Sequence, residues 1–204
     1  MLISSVLDQK TLKMTFKECK KLIFSDLARL TTANKRGNIL RYLITNASFK
    51  VTFWFRVASW LCRCNSCFAR VLLPVVAIIR KHYEYKTGIQ LGTGTDIGGG
   101  LFFPHFSCIV INGGAIIGDN VTIFQGVTVG SVRGKGTPVI GDNVVLSAHS
   151  QIIGKVRIGN NVIVGAGAVV VNDVPDNAVV IGVPAKVVSY KGKDLVSFYC
   201  KLND

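Results

Sequence analysis

From Ile140 onward an aliphatic residue recurs every six positions: Ile140, Leu146, Ile152, Ile158, Val164 and Val170 each open a unit of the kind Ile-Gly-Asp-Asn-Val-Val. A six-residue period matches neither the 3.6-residue turn of an α-helix nor the two-residue alternation of a simple strand. It implies a β-solenoid, in which brief strands joined by tight turns stack coil upon coil around one continuous core. The same step runs from Ile117 through Ile123 to Val129, and upstream through Leu91, Ile97, Phe103 and Ile109, after which the phase slips by two residues before Ile117. Between Val129 and Ile140 the step is 11 residues instead of six. That insert, around Ser131 to Pro138, must loop outward because the coils themselves are stacked, and such loops collect functional groups.

The repeat divides the chain into a helical N-terminal segment over 1–86, the solenoid over 87–190 and a tail over 191–204. Charge follows the same division. Residues 1–86 hold 16 of the 24 Lys and Arg residues but four acids, whereas 87–204 hold eight against seven. The net charge of +13 therefore belongs to the N-terminal segment, where it bears on partners rather than on fold.

Within that segment, Leu7, Leu12, Met14, Phe16, Leu22, Ile23, Leu27 and Leu30 predict one or two helices over 5–32. Asn34-Lys-Arg-Gly37 reads as a break, and a second helical stretch runs from about Leu40 to Tyr85, interrupted at Pro74. Phe49, Phe53, Trp54, Phe55 and Trp60 crowd one part of it, while Arg56, Arg63 and Arg70 sit seven apart on one face. Two arrangements fit: a helix lying in a membrane interface, or one packed on the solenoid or on a partner subunit with its arginines in solvent. Neither that aromatic cluster nor the apolar run Val71–Ile79 that follows it reaches the ~20 residues that span a bilayer. No nucleic-acid-binding motif is present, and nucleic acid is not an expected partner.

Cys62, Cys64 and Cys67 match none of the usual zinc spacings and have no His nearby, so no metal is expected and small buried thiols on a helix are the simpler reading. No secretory-type apolar run follows the start, which makes a reducing cytoplasm the expected compartment.

Four stretches carry a family resemblance: Gly99-Gly-Leu-Phe-Phe-Pro-His105-Phe-Ser-Cys-Ile-Val-Ile111, Gly118 to Gly130, Gly165-Ala-Gly-Ala-Val-Val and Gly182-Val-Pro-Ala-Lys186. Over about residues 88–190 the chain resembles the hexapeptide-repeat acyltransferases, in particular their serine acetyltransferase branch. The resemblance implies a mainly β fold, a left-handed parallel β-helix behind the α-helical N-terminal segment. It also implies a homotrimer that binds acetyl-coenzyme A between subunits, as co-substrate and without metal.

O-acetyl transfer needs a base for the hydroxyl proton, a task suited to histidine. Of His82, His105 and His149, the family motif singles out His105 as that base. Gly130 and Ser131 match the glycine turn that would offer N–H groups to the oxyanion. Ala148, Gly165 and Ala166 match small positions beside the pantetheine arm, although tight turns alone also demand small residues. Lys186, Arg133 or Lys135 would meet the coenzyme phosphates. His149 stands where the family often has glycine, either near the donor groove or pointing outward. His82 reads as structural.

Three departures bear on the acceptor. Pro104 occupies the place of an acidic residue that recognises the amino acid, Gly136 and Thr137 replace an Arg-His pair, and Gln90 replaces the Asp that orients the base, a role open to Asp96 or to neither. With charged clamps for a zwitterion missing and a basic, hydrophobic segment ahead of the solenoid, the chain most resembles the polysaccharide and sugar O-acetyltransferases related to that branch, which implies a sugar or glycan acceptor, lipid-linked in some relatives, in capsule, O-antigen or exopolysaccharide biosynthesis. That reading puts the protein in the cytoplasm, peripheral to the inner face of the membrane. The alternatives are serine O-acetylation in cysteine biosynthesis, N-acetylation of an amino sugar and a non-catalytic solenoid scaffold.

Overall fold

The computed structural model describes residues 14–31, 39–64, 66–133 and 136–200. Parts of the expected first helix, including Leu7 and Leu12, the Asn34–Gly37 break and Lys135 lie outside the described residues.

Among the described residues four helices come first. α1 (Phe16–Ala28) starts at a capping box: the Thr15 hydroxyl accepts from the Glu18 N–H at 3.2 Å, and the Glu18 carboxylate accepts from the Thr15 N–H at 2.7 Å. α2 (Ile39–Thr45) is short. α3 (Ala47–Arg63) begins where the Asn46 side chain accepts from the Phe49 N–H at 2.9 Å. α4 (Cys67–Thr87) ends at Gly88 in the left-handed region. The expected interruption at Pro74 is corrected: α4 runs through Pro74, and the chain breaks instead at the extended Cys64. A proline forfeits one ladder hydrogen bond, and the packing of Ala69 and Val76 on either side holds the helix against that loss.

The solenoid follows as β1 (Gln90–Leu91), β2 (Asp96–Ile97), β3 (Val110–Ile111), β4 (Ile116–Ile117), β5 (Thr122–Ile123), β6 (Thr128–Gly130) and β7 (Val139–Ile140). It continues with β8 (Val145–Leu146), β9 (Gln151–Ile153), β10 (Arg157–Ile158), β11 (Ile163–Val164), β12 (Val169–Val170), β13 (Val179–Ile181) and β14 (Lys186–Ser189). The strands fall into three faces in the orders β1-β3-β6-β9-β12, β2-β4-β7-β10 and β5-β8-β11-β13-β14, with Phe102 and Val174 joining as single bridges. All neighbours are parallel except β14, which turns back against β13 and closes that sheet edge. The repeated aliphatics point inward: Ile123, Val129, Leu146, Ile152 and Val164 have no exposed surface. Truncating one to alanine costs about 2–5 kcal/mol.

Two side-chain ladders hold the corners in register. Asn120, Asn143, Asn161 and Asn177 each adopt positive φ and pass amide hydrogen bonds of 3.1–3.3 Å from coil to coil. At the same corner Asp119, Asp142, Asn160 and Asp176 accept from the backbone N–H of Gly99, Asp119, Asp142 and Asn160 respectively.

The helices cap the first coil. Val51 and Phe55 of α3 pack with Ile89, Leu91 and Ile97. Arg56 is the largest fully buried side chain among the described residues. It donates to Asp26 on α1 at 2.9 and 3.0 Å and to the carbonyls of Ile97 and Gly98, while Asp26 also accepts from the Leu101 N–H at 2.9 Å. Burial pushes the Asp26 carboxyl above its ordinary range, against the pull of Arg56. One ion pair thus ties α1, α3 and the solenoid together. It also removes Arg56 from the expected surface stripe with Arg63 and Arg70, and Phe49 and Phe55 are buried with it. No described helix is long and apolar enough to cross a membrane. The thiols differ from expectation as well: Cys62 and Cys67 are exposed at the α3–α4 turn, and Cys19 is buried.

Candidate functional site

His105 lies on the turn between the sheet that holds β5 and the sheet that holds β3. The bridge Phe102–Thr122 and the pairing Val110–Thr128 bracket it, and they fix where the solenoid gains residues. From Ile123 to Val129 the chain takes six residues, but from Phe103 to Ile111 it takes eight. Since Ile111 pairs with Val129 and Ile117 follows it at the regular six-residue step, the two extra residues fall within 104–108 and not after Ile109 as the sequence period suggested. The widened turn carries Pro104 to Cys108 outward and exposes the His105 ring.

Cys108, Gly126, His149 and Gly167 form the stack of positive-φ residues at this corner. Backbone hydrogen bonds of 2.9 Å link Gly126 to Ser107, His149 to Gln125 and Gly167 to Ala148. The His149 ring covers Gly126, filling the space that a Cβ there would need. His149 is therefore both exposed and a member of the same corner as His105.

Ala148 and Ala166 stand on this stack, and Gly165 opens its last described turn, with its N–H donating to Val180 at 2.8 Å. Lys186 lies in β14, exposed and paired with Ile181. Gly130 and Ser131 are elsewhere. Gly130 ends β6 and Ser131 follows it at the next corner, where Ser131 accepts from the Asn112 amide at 3.3 Å. Arg133 is exposed in the insert that follows. The structure thus gathers His105, Ala148, Gly165 and Ala166 on one corner, and leaves Gly130 and Ser131 on another corner of the same chain.

Asp96 is on β2, in a third face, with its carboxylate 3.9 Å from the Arg63 guanidinium. Gln90 is exposed on β1. The ring that does reach His105 is Phe124, with centroids 6.1 Å apart, and Phe124 meets Tyr199 edge-on at 6.1 Å. Tyr199 belongs to the last helix, α5 (Gly192–Cys200), which packs through Val196 on Val145 and Ile163. Sequence reasoning passed over Phe124, although a signal was present: the equivalent places of the next two coils hold the small residues Ser147 and Gly165. The oxygen of the neighbouring Gln125 side chain is buried without a hydrogen-bond partner. Among the described residues no group of three or more His, Cys, Asp or Glu side chains is arranged to hold a metal ion.

Residues 137–172 match the bacterial transferase hexapeptide family (six repeats). A serine acetyltransferase of Synechococcus elongatus is 36% identical over 159 residues, covering 76% of this chain and 62% of its own. Soybean serine acetyltransferase superposes with a TM-score of 0.69 at 30% identity, over 83% of this chain and 69% of its own. The Neisseria gonorrhoeae serine acetyltransferase solved in complex with serine gives 0.70 at 27%, over 85% and 70%. The chain spans between 53% and 62% of the length of the first curated relatives it matches.

These relatives correct the expected sugar or glycan acceptor and the place in polysaccharide biosynthesis. That inference weighed Gln90, Pro104, Gly136 and Thr137 together with the basic, hydrophobic N-terminal segment, and identity extending over 159 residues outweighs them. The repeat, the three-faced solenoid and these similarities agree, and the chain belongs to the hexapeptide-repeat transferase family.

Proposed function

We propose that the protein is an acetyl-coenzyme-A-dependent serine O-acetyltransferase, with His105 as general base. The observation that carries the reading is the exposed imidazole on a widened solenoid corner, in a chain 36% identical over 159 residues to a serine acetyltransferase. The imidazole takes the proton from the serine hydroxyl as the oxygen attacks the thioester carbonyl. Collapse of the tetrahedral intermediate breaks the C–S bond, and the departing thiolate recovers that proton from the imidazolium. O-acetylserine and coenzyme A are the products.

A homotrimer fits this chemistry. The donor-side candidates Ala148, Gly165, Ala166 and Lys186, and the oxyanion candidates Gly130 and Ser131, occupy different corners of one chain. One acyl donor would meet both groups across a boundary between protomers. The free thiols of Cys19, Cys62, Cys64, Cys67 and Cys108 support a reducing cytoplasmic setting. Pro104, Gly136 and Thr137 offer no charge to the serine ammonium or carboxylate. The expected KM for serine is therefore at the upper end of the usual enzyme range, about 1 mM or above.

The test is incubation with acetyl-coenzyme A and L-serine, followed by mass spectrometry for O-acetylserine. Its formation supports the reading. Calorimetric binding of acetyl-coenzyme A without transfer to serine would remove the acceptor, and absence of both would leave a scaffold.

A further inference from the structure

The corner that carries His105 is a ladder of rungs. The Gly126 N–H donates to the Ser107 carbonyl, the His149 N–H to that of Gln125 and the Gly167 N–H to that of Ala148, each at 2.9 Å. Successive rungs of stacked parallel strands lie about 4.8 Å apart. Gly126 and Gly167 meet the left-handed backbone of this corner with glycine, whereas His149 holds a full side chain there at φ 59°. Its ring does not project away from the corner. The Nδ1, Cε1 and Cγ atoms are those that a Cβ on Gly126 would strike, so the ring folds back over the rung nearer to His105. Nε2 lies on the ring's other edge, and the imidazole makes no hydrogen bond among the described residues.

From this placement we infer that His149 is a donor-binding residue whose imidazole hydrogen-bonds the pantetheine amide nearest the thioester. The inference rests on the acetyl-coenzyme A reading of the same corner, and it adds a polar side chain where that reading has only small residues beside the arm. A donor whose thioester meets His105 and whose arm continues to Ala148 and Ala166 has to cross the rung of Gly126, and the His149 ring lies over that rung. The first amide of the arm comes one rung of about 4.8 Å from the thioester, level with the ring. An amide offers both an N–H and a carbonyl, so either tautomer of the imidazole finds a partner through Nε2. Ala148, Gly165 and Ala166 bring no polar side chain to the arm. The proton of the acceptor hydroxyl stays with His105, because the His149 backbone is two rungs along the corner from the turn that carries the base.

Calorimetry on the full chain tests the contact without requiring turnover. The variants are H149G, which relieves the left-handed backbone, and H149N, which tolerates it and keeps an amide. Circular dichroism and molar mass serve as folding controls. H149G should raise the Kd for coenzyme A by about threefold to tenfold, the worth of one hydrogen bond. Its Kd for adenosine 3′,5′-bisphosphate, which lacks the arm, should stay at the wild-type value. H149N should recover most of the coenzyme A affinity. An H149G variant that binds coenzyme A like wild type would overturn the inference, as would equal losses for both ligands or an H149N variant no better than H149G. A wild-type chain that binds coenzyme A yet leaves serine unacetylated would overturn the proposed acceptor alone, and the Kd comparison would still decide the role of His149. A wild-type chain that binds no coenzyme A would overturn both.

Discussion

The rings of His105 and Phe124 stand 6.1 Å apart, at the one corner where the coil between Phe103 and Ile111 carries two additional residues. The outward turn exposes the imidazole, and Phe124 supplies an aromatic neighbour for it. Phe124 is in turn backed by Tyr199 of the last helix. Phe124 is thus a positioning residue in the proposed reaction. Phe124→Ala should lower kcat by up to about 10²-fold, the scale of a misplacement near 1 Å. The pH dependence of kcat/KM should keep its wild-type midpoint. A shifted midpoint would show Phe124 acting on the titration of the base rather than on its placement.

The Asp26–Arg56 pair predicts a stability effect far from the reaction. Both side chains are 2% exposed or less and share their hydrogen bonds with Ile97, Gly98 and Leu101. Removing one partner leaves a buried charge uncompensated, at about 3–5 kcal/mol. Asp26→Ala should lose that much in urea unfolding. The double variant D26L/R56M should lose clearly less, because neither charge is then left alone.

The asparagine ladder gives a second stability test. Asn143 has φ 55° and exchanges amide hydrogen bonds with Asn120 and Asn161. Asn143→Ala should cost about 1–2 kcal/mol for the left-handed backbone, with the lost hydrogen bonds in addition. Asn143→Gly should recover the backbone part alone, and thermal unfolding of the two variants separates the contributions.

Lys186 is exposed on β14, where it suits a coenzyme phosphate. Exposed ion pairs contribute up to about 1 kcal/mol, so Lys186→Ala should raise KM for acetyl-coenzyme A by about threefold to fivefold with kcat unchanged. The difference should shrink in 1 M salt, where screening acts within about 3 Å.

Much of this architecture was legible because the solenoid core is set by local period. Leu91, Ile97, Ile117, Ile123 and the repeats after Ile140 all point inward, as their spacing implied. The helices were harder to read. Arg56 belongs by spacing to a stripe with Arg63 and Arg70, and only the tertiary approach of Asp26, 30 residues away, turns it inward. Pro74 read as a break because local propensity omits the packing of Ala69 and Val76. At the site, motif resemblance singled out His105. The period alone misplaced the two-residue expansion, since Ile109 and Ile111 are both buried and either can be taken as the repeat position. Tyr199 could not be linked to His105 from sequence, because the link passes through Phe124 across 75 residues.

The central claim is that the imidazole of His105 takes the acceptor proton in acetyl transfer to serine. Its most direct measurement is the steady-state rate of coenzyme A release with L-serine, comparing wild type with a folded His105→Ala variant of the same molar mass. General-base catalysis contributes about 10²–10⁴-fold, so kcat should fall by that factor with KM for acetyl-coenzyme A little changed. A His105→Ala enzyme that acetylates serine at close to the wild-type rate would contradict the account.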